Sequence, residues 1–292
     1  MLNNIRSKQA ILIVAILLLV GFLFTRNVKG LVKPSDETDQ KNSGTPETST
    51  ANTPRLTIED ASATAKNLVS TATAKEITAL ELNYKNASGA DQLEIAKKLT
   101  QKWDDVEQNI PSAMYAEIVA GSEPSLINWL SAGSRFLKAF DNTRDSLTQP
   151  ILLQKANVAF KSALKIDSTS NDAKTGLGIT IVNGMGSPME GIAMLREVVA
   201  KDPKNLRANM NLGMFAIKSG QFDKAIIRFN DIIENIKATP DAYFYLATAY
   251  ENLGKNTEAI SAYLNSKKLA ANPTITKFVD NKVAELKKIN VN

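Results

Sequence analysis

The sequence predicts an all-α fold, a solenoid of stacked helix pairs behind an N-terminal transmembrane helix and a disordered linker. Three observations predict it. Leu212-Gly213, Gly220, Ala225 and Phe229 recur 34 residues later as Leu246-Ala247, Gly254, Ala259 and Tyr263. A period of this length marks a helical repeat, in which each helix pair buries its apolar face by stacking on the next. Residues 10–24 carry no charge, and residues 34–54 carry no strong hydrophobe.

Residues 1–33 read as a signal-anchor. The uncharged run is flanked by Arg6 and Lys8 on one side and by Arg26, Lys29 and Lys33 on the other. At about 1.5 Å per residue it covers roughly 22 Å, short of the roughly 30 Å hydrocarbon core, and snorkelling flanking cations make up the difference. A cleaved signal peptide is the rival reading, but Arg26 and Lys29 just before Gly30 disfavour processing there. Residues 34–56 follow as the linker: Ser, Thr, Asn, Asp, Glu, Gly and Pro cannot bury enough apolar surface to offset chain entropy.

Residues 57–124 are expected to be helical and to include a degenerate repeat. Residues 58–84, rich in Ala and Thr, read as one helix. Leu93, Ala96, Leu99, Trp103, Val106 and Ile110 step by three and four along one face. Asn109 is expected to cap the next helix, with Pro111 in its first turn and Gly121 near its end. In residues 125–273, Ser125 caps a helix whose face is Leu126, Trp129, Leu130, Gly133, Phe136, Leu137 and Phe140. Its partner spans about 150–167 with Ala156, Phe160 and Ala163 in the repeat slots. The long join at 141–150 is either a longer first helix or a protruding loop. Leu177-Gly178 precedes Leu212-Gly213 by 35 residues and Leu195 precedes Phe229 by 34, so one residue is inserted in the turn at 183–191. Gly220 and Gly254 supply left-handed turn residues. Residues 274–292 read as a capping helix with Ile275, Val279, Val283, Leu286 and Ile289 on one face.

The motifs Asn211-Leu212-Gly213, Gly220-Gln221-Phe222-Asp223-Lys224-Ala225 and Tyr245-Leu246-Ala247-Thr248-Ala249-Tyr250 resemble the tetratricopeptide repeat over residues 151–273. The chain as a whole is similar to membrane-anchored bacterial members of that family. The resemblance implies a right-handed solenoid that binds proteins and has no enzymatic activity. Asn209, Ala216 and Gly191 depart from the usual repeat residues. The resemblance also implies a concave groove lined by first-helix residues. Carried across by register, these are Asp172, Thr175, Ile179 and Val182, then Arg207, Met210, Asn211, Met214 and Ile217, then Asp241, Phe244, Tyr245, Thr248 and Glu251. The expected partner-binding set is Arg207, Met210, Asn211, Met214, Asp241, Phe244, Thr248 and Glu251. Thr175 and Met210 occupy the Lys positions of the carboxylate-holding members, so a side-chain-read protein or peptide segment is the expected ligand.

Composition narrows the function further. Residues 1–33 hold five Arg and Lys and no acid, which leaves 35 − 5 = 30 basic against 30 acidic residues in the remainder. That neutral remainder argues against nucleic-acid binding. The chain has no His and no Cys. This removes the common nucleophile–base pairs and most zinc chemistry, so no catalytic residue, metal, cofactor or small-molecule substrate is expected. Asp104, Asp105 and Glu107 read as a solvent-facing cluster, and residues 184–188 as an inter-helix turn whose Met185 and Met189 offer adaptable contacts. The favoured function is a membrane-tethered adaptor or scaffold that assembles partners at the inner membrane. A permanent structural subunit of a larger complex, or a self-associating protein, is the alternative. The positive charges flanking the span balance, and the short polar start favours an N-in, single-pass arrangement with periplasmic repeats over a cytoplasmic-facing one.

The anchor reading is checked by fractionation. The protein is expected to stay in the membrane pellet after high-salt and carbonate washing, with residues 1–30 present by intact mass. A soluble mature chain beginning near Leu31 would reject it.

Overall fold

Short polar side chains set many of the helix starts. Thr57, Ser70, Ser125, Ser170, Asn205 and Thr239 each accept the backbone N–H three residues on, satisfying a donor that the first helical turn leaves without a partner. The computed structural model describes residues 56–270 and 272–289. The expected transmembrane helix at 10–24 and the linker at 34–54 lie outside the described residues. Among the described residues there are thirteen α-helices and no strand: α1 (Ile58–Lys66), α2 (Thr71–Asn86), α3 (Gly89–Asp105), α4 (Asn109–Ser122), α5 (Leu126–Asn142), α6 (Thr148–Ile166), α7 (Asn171–Thr180), α8 (Pro188–Lys201), α9 (Leu206–Lys218), α10 (Phe222–Asp231), α11 (Pro240–Asn252), α12 (Asn256–Ala270) and α13 (Pro273–Ile289). Among these residues no helix is long and apolar enough to cross a membrane.

Helices α3 to α12 stack as five antiparallel pairs, and in the four from α5 onward a small residue on the first helix receives a large one from the second. A Cβ at Gly133 would lie 2.9 Å from the Phe160 ring, one at Gly178 3.1 Å from Leu195, and one at Gly213 2.6 Å from Phe229. Ala247 and Tyr263 hold the same slots in α11 and α12, both buried. The large residue also makes the contact to the following pair. Gly176 on α7 leaves no room for a side chain beside Phe160, and Phe229 stacks on Tyr245 of α11 with ring centroids 5.8 Å apart. Phe160 and Phe229 are fully enclosed, which is worth roughly 1.5–3 kcal/mol each by area burial.

Turn chemistry keeps the pairs in step. Gly220 (φ 72°) and Gly254 (φ 70°) end α9 and α11 in the left-handed region, as the sequence predicts. In each case the N–H of the next residue reaches back five positions, from Gln221 to Ala216 O and from Lys255 to Tyr250 O, which satisfies a terminal carbonyl. Glu107 repeats this geometry between α3 and α4 at φ 57°, with Gln108 N–H bonded to Trp103 O at 3.0 Å. The first residue of α4 is therefore Asn109, and Gln108 rather than Asn109 is its N-cap. The expected helix over 58–84 is two helices, because Ser70 turns its hydroxyl onto Thr73 N–H and starts α2 there. At the long join both helices are extended: α5 has 17 residues and α6 has 19, with only residues 143–147 between them. The residue inserted before α8 falls where the chain leaves helical geometry after α7, at the kink of Gly184 (φ 136°).

Asp105 and Glu107 are exposed as expected, whereas Asp104 is half-buried and paired. Arg135 of α5 donates to its Oδ2 from Nη2 at 2.6 Å and from Nε at 3.0 Å, and Ser112 of α4 donates to its Oδ1 at 2.6 Å. The acid therefore ties α3, α4 and α5 together. At the other end Val279, Val283 and Leu286 of α13 are buried, covering the last pair.

Two stability predictions follow from these slots. Gly213→Val is expected to cost about 1–3 kcal/mol in a denaturant melt, because the Phe229 ring has nowhere to move. Glu107→Gly is expected to raise stability by about 0.5–1 kcal/mol, because it removes the penalty of a side chain in the left-handed region. A melt unchanged by the first or weakened by the second would show that the slot geometry is wrong.

Candidate functional site

The first helices bring α5 and α9, two pairs apart in sequence, close together across α7. Arg207 of α9 donates to the Ser134 hydroxyl of α5 at 3.4 Å, with its guanidinium 5.9 Å from the centroid of the Phe160 ring. It reaches that ring because Gly176 of α7 has no side chain to intervene. A cavity of about 330 Å³ is enclosed there, lined by Leu137, Phe140 and Asp141 of α5, Ile179 of α7 and Asn183 after it, and Arg207, Asn211, Met214 and Lys218 of α9.

The cavity wall is mixed, with Leu137, Phe140, Ile179 and Met214 set among Asp141, Arg207, Asn211 and Lys218. Burial works against the Arg207 charge, and Asp172 and Asp141 oppose that effect. Asp141 has solvent on one side, yet the helices around it push its carboxyl above the ordinary carboxylate range, against the pull of Lys218 and Arg207. Lys218 donates to Asn183 Oδ1 at 3.1 Å and lies 5.6 Å from the centroid of the Phe215 ring. Asn211 turns its amide onto the Arg207 carbonyl at 2.8 Å, within its own helix.

The expected set divides in two. Arg207, Asn211 and Met214 line this cavity together, whereas Phe244, Thr248 and Glu251 lie further along the array and make contacts within the chain. Phe244 meets Tyr263 at 5.5 Å and Phe278 of α13 at 5.7 Å between ring centroids. Thr248 bonds the Phe244 carbonyl at 3.0 Å. Glu251 accepts from the Tyr263 hydroxyl at 2.8 Å and from Lys282 at 2.7 Å. Burial pushes Tyr263 up to about 12, so it remains a proton donor to Glu251 at neutral pH. Met210 and Met214 pack half-buried beside the aromatic group, and Asp241 is exposed. Of the other register positions, Thr175 and Ile179 are buried, and Asp172 is exposed.

Register reasoning missed Ser134, Asp141 and Phe278. Ser134 follows Gly133 as Ile179 follows Gly178, but the separation is 45 residues instead of 34 or 35. Phe278 lies 34 residues after Phe244 and is 47% exposed, so the repeat period itself pointed to it.

Among the described residues no group of three or more carboxylates is arranged to hold a metal. Two family models, each described as a tetratricopeptide repeat, match residues 184–241 and 241–268, from the kink at Gly184 through α12. No curated protein matches. Similar solved structures include MamA (19% identity over 60% of this chain and 90% of that one, TM-score 0.41). YrrB, described as a tetratricopeptide protein with an unusual peptide-binding site, is 15% identical over 70% and 96% of the two chains, with TM-score 0.41. PilW, described as a widely conserved type IV pilus biogenesis factor, is 19% identical over 68% and 93%, with TM-score 0.49. The two matched models fall on the helix pairs that carry the 34-residue period, and residues 184–268 match the tetratricopeptide repeat.

Proposed function

We propose that this protein is a membrane-tethered adaptor that holds partner proteins against the first-helix face of its solenoid, at the inner membrane and on the periplasmic side. As a tetratricopeptide-repeat chain it is a protein-interaction scaffold, and members of this family are generally adaptors without catalytic activity. The observation that carries the finer reading is the first-helix face itself. It carries a cavity in which Leu137, Ile179 and Met214 sit beside Arg207 and Asn211, and further along the array lie half-buried Met210 and the half-exposed ring of Phe278. Methionines and an accessible aromatic suit a partner segment that is bound by side-chain shape. The uncharged run at 10–24 with its basic flanks supports tethering, and the polar composition of 34–54 supports a linker that lets the repeats range near the bilayer.

The test is cross-linking and pull-down from membranes with the full chain. Phe278→Ala is expected to leave the melt within about 0.5 kcal/mol of the parent, since the ring is only half covered, while partner recovery falls by 2 kcal/mol or about thirtyfold if it is an anchor. Phe244→Ala is expected to lower both, because its ring also packs on Tyr263. Met214→Ala and Arg207→Ala are expected to weaken recovery by less. Recovery of the same partners by all four variants would reject the first-helix face as the binding surface.

A further inference from the structure

A second cavity of about 420 Å³ opens between the second helices α8 and α10 and shares Phe215 of α9 with the first. Its floor is apolar. Leu212 and Phe215 of α9 lie at the bottom, Ile192 of α8 forms one wall, and Ile227 of α10 stands 70% exposed on the other. Its rim is cationic: Arg196, Lys224 and Arg228 face one carboxylate, Asp231.

Among the described residues, none of these three cations forms an ion pair. Lys224 donates to Gln221 Oε1 at 2.7 Å, and Arg228 donates to Asn209 Oδ1 at 2.6 Å. Arg196 has no hydrogen-bond partner among the described residues. Arg228 is half-buried and close enough to Arg196 to feel its charge, and the two effects together work against its own ionisation, with Asp231 opposing. Two guanidinium groups over a partly dry floor repel one another, and an arriving carboxylate relieves that repulsion. An apolar floor edged by three cations that form no ion pair among the described residues is complementary in charge and shape to an acidic segment with apolar side chains.

We propose that this second-helix groove is a docking site for an acidic, amphipathic segment of a partner protein. The segment inserts a leucine or aromatic side chain onto Ile192, Phe215 and Ile227 and pairs its carboxylates with Arg196 and Arg228. The site is separate from the first-helix face and does not rest on that reading. The two cavities meet at Phe215 of α9, and one solenoid holds two segments.

The test uses the full-length chain in neutral detergent and a labelled peptide of about twelve residues, with Asp and Glu on one helical face and Leu and Phe on the other. Its Asn/Gln counterpart is the control. In fluorescence anisotropy the acidic peptide is expected to bind at least about tenfold tighter than the amide peptide, with an advantage that shrinks as salt is added. Arg196→Glu and Ile227→Ser are both expected to weaken it about tenfold with unchanged melting, since both residues are exposed. Ile227→p-benzoylphenylalanine is expected to photo-cross-link to the bound peptide. Equal binding of the two peptides, or full binding by either variant, would overturn the proposal. So would loss of binding in Phe278→Ala, which would place the peptide on the other face. A cross-link from position 227 to residues 34–55 or to a second copy, formed without peptide, would assign a different occupant. Arg196-dependent co-sedimentation with phosphatidylserine vesicles in place of peptide binding would assign the groove to a lipid surface and likewise reject it.

Discussion

The close approach of a small residue to a large one between the helices of the pairs from α5 onward is the contact on which the remaining architecture depends. Where Gly133 and Gly176 give way to Phe160, one ring fills the space between α5, α6 and α7 at once. The same ring then forms part of the surface that Arg207 reaches. A larger residue at Gly176 would therefore separate the pairs and also cover the ring beside the cavity. Stability and site are built from one contact, because close packing leaves no spare volume in which to move one without the other.

The charged residues of the array serve two different purposes. Asp104 with Arg135 and Ser112, and Glu251 with Tyr263 and Lys282, are satisfied within the chain and join neighbouring helices. Arg207, Arg196 and Arg228 lie beside apolar walls without an ion-pair partner among the described residues. The distinction is invisible in a neutral overall balance, since net charge says nothing about which cations have found a carboxylate.

The repeat was legible wherever the slots keep both spacing and residue type, and this is so for α9 to α12. It was faint at α3 and α4, because Glu107 occupies the left-handed position that Gly220 and Gly254 mark so plainly. Ser134 and Asp141 escaped because α5 and α6 are each longer than a standard repeat helix, which moves their counterparts 45 residues away. The groove residues Thr248 and Glu251 were assigned by register alone. A register gives the face on which a side chain starts and leaves out what it bonds to, and here the nearest partners are Tyr263 and Lys282 of the same chain.

The end of α7 shows how such an array treats an error in length. The additional residue falls at a kink where Gly184 takes up the unusual backbone angle, and Leu195 still meets Gly178 as Phe229 meets Gly213. The spacing of the stack is thus measured by its interfaces and not by counting residues along the chain. The insertion at the end of α7 is a local event that does not propagate, and the small-to-large contacts on either side of it keep the helix pairs in alignment.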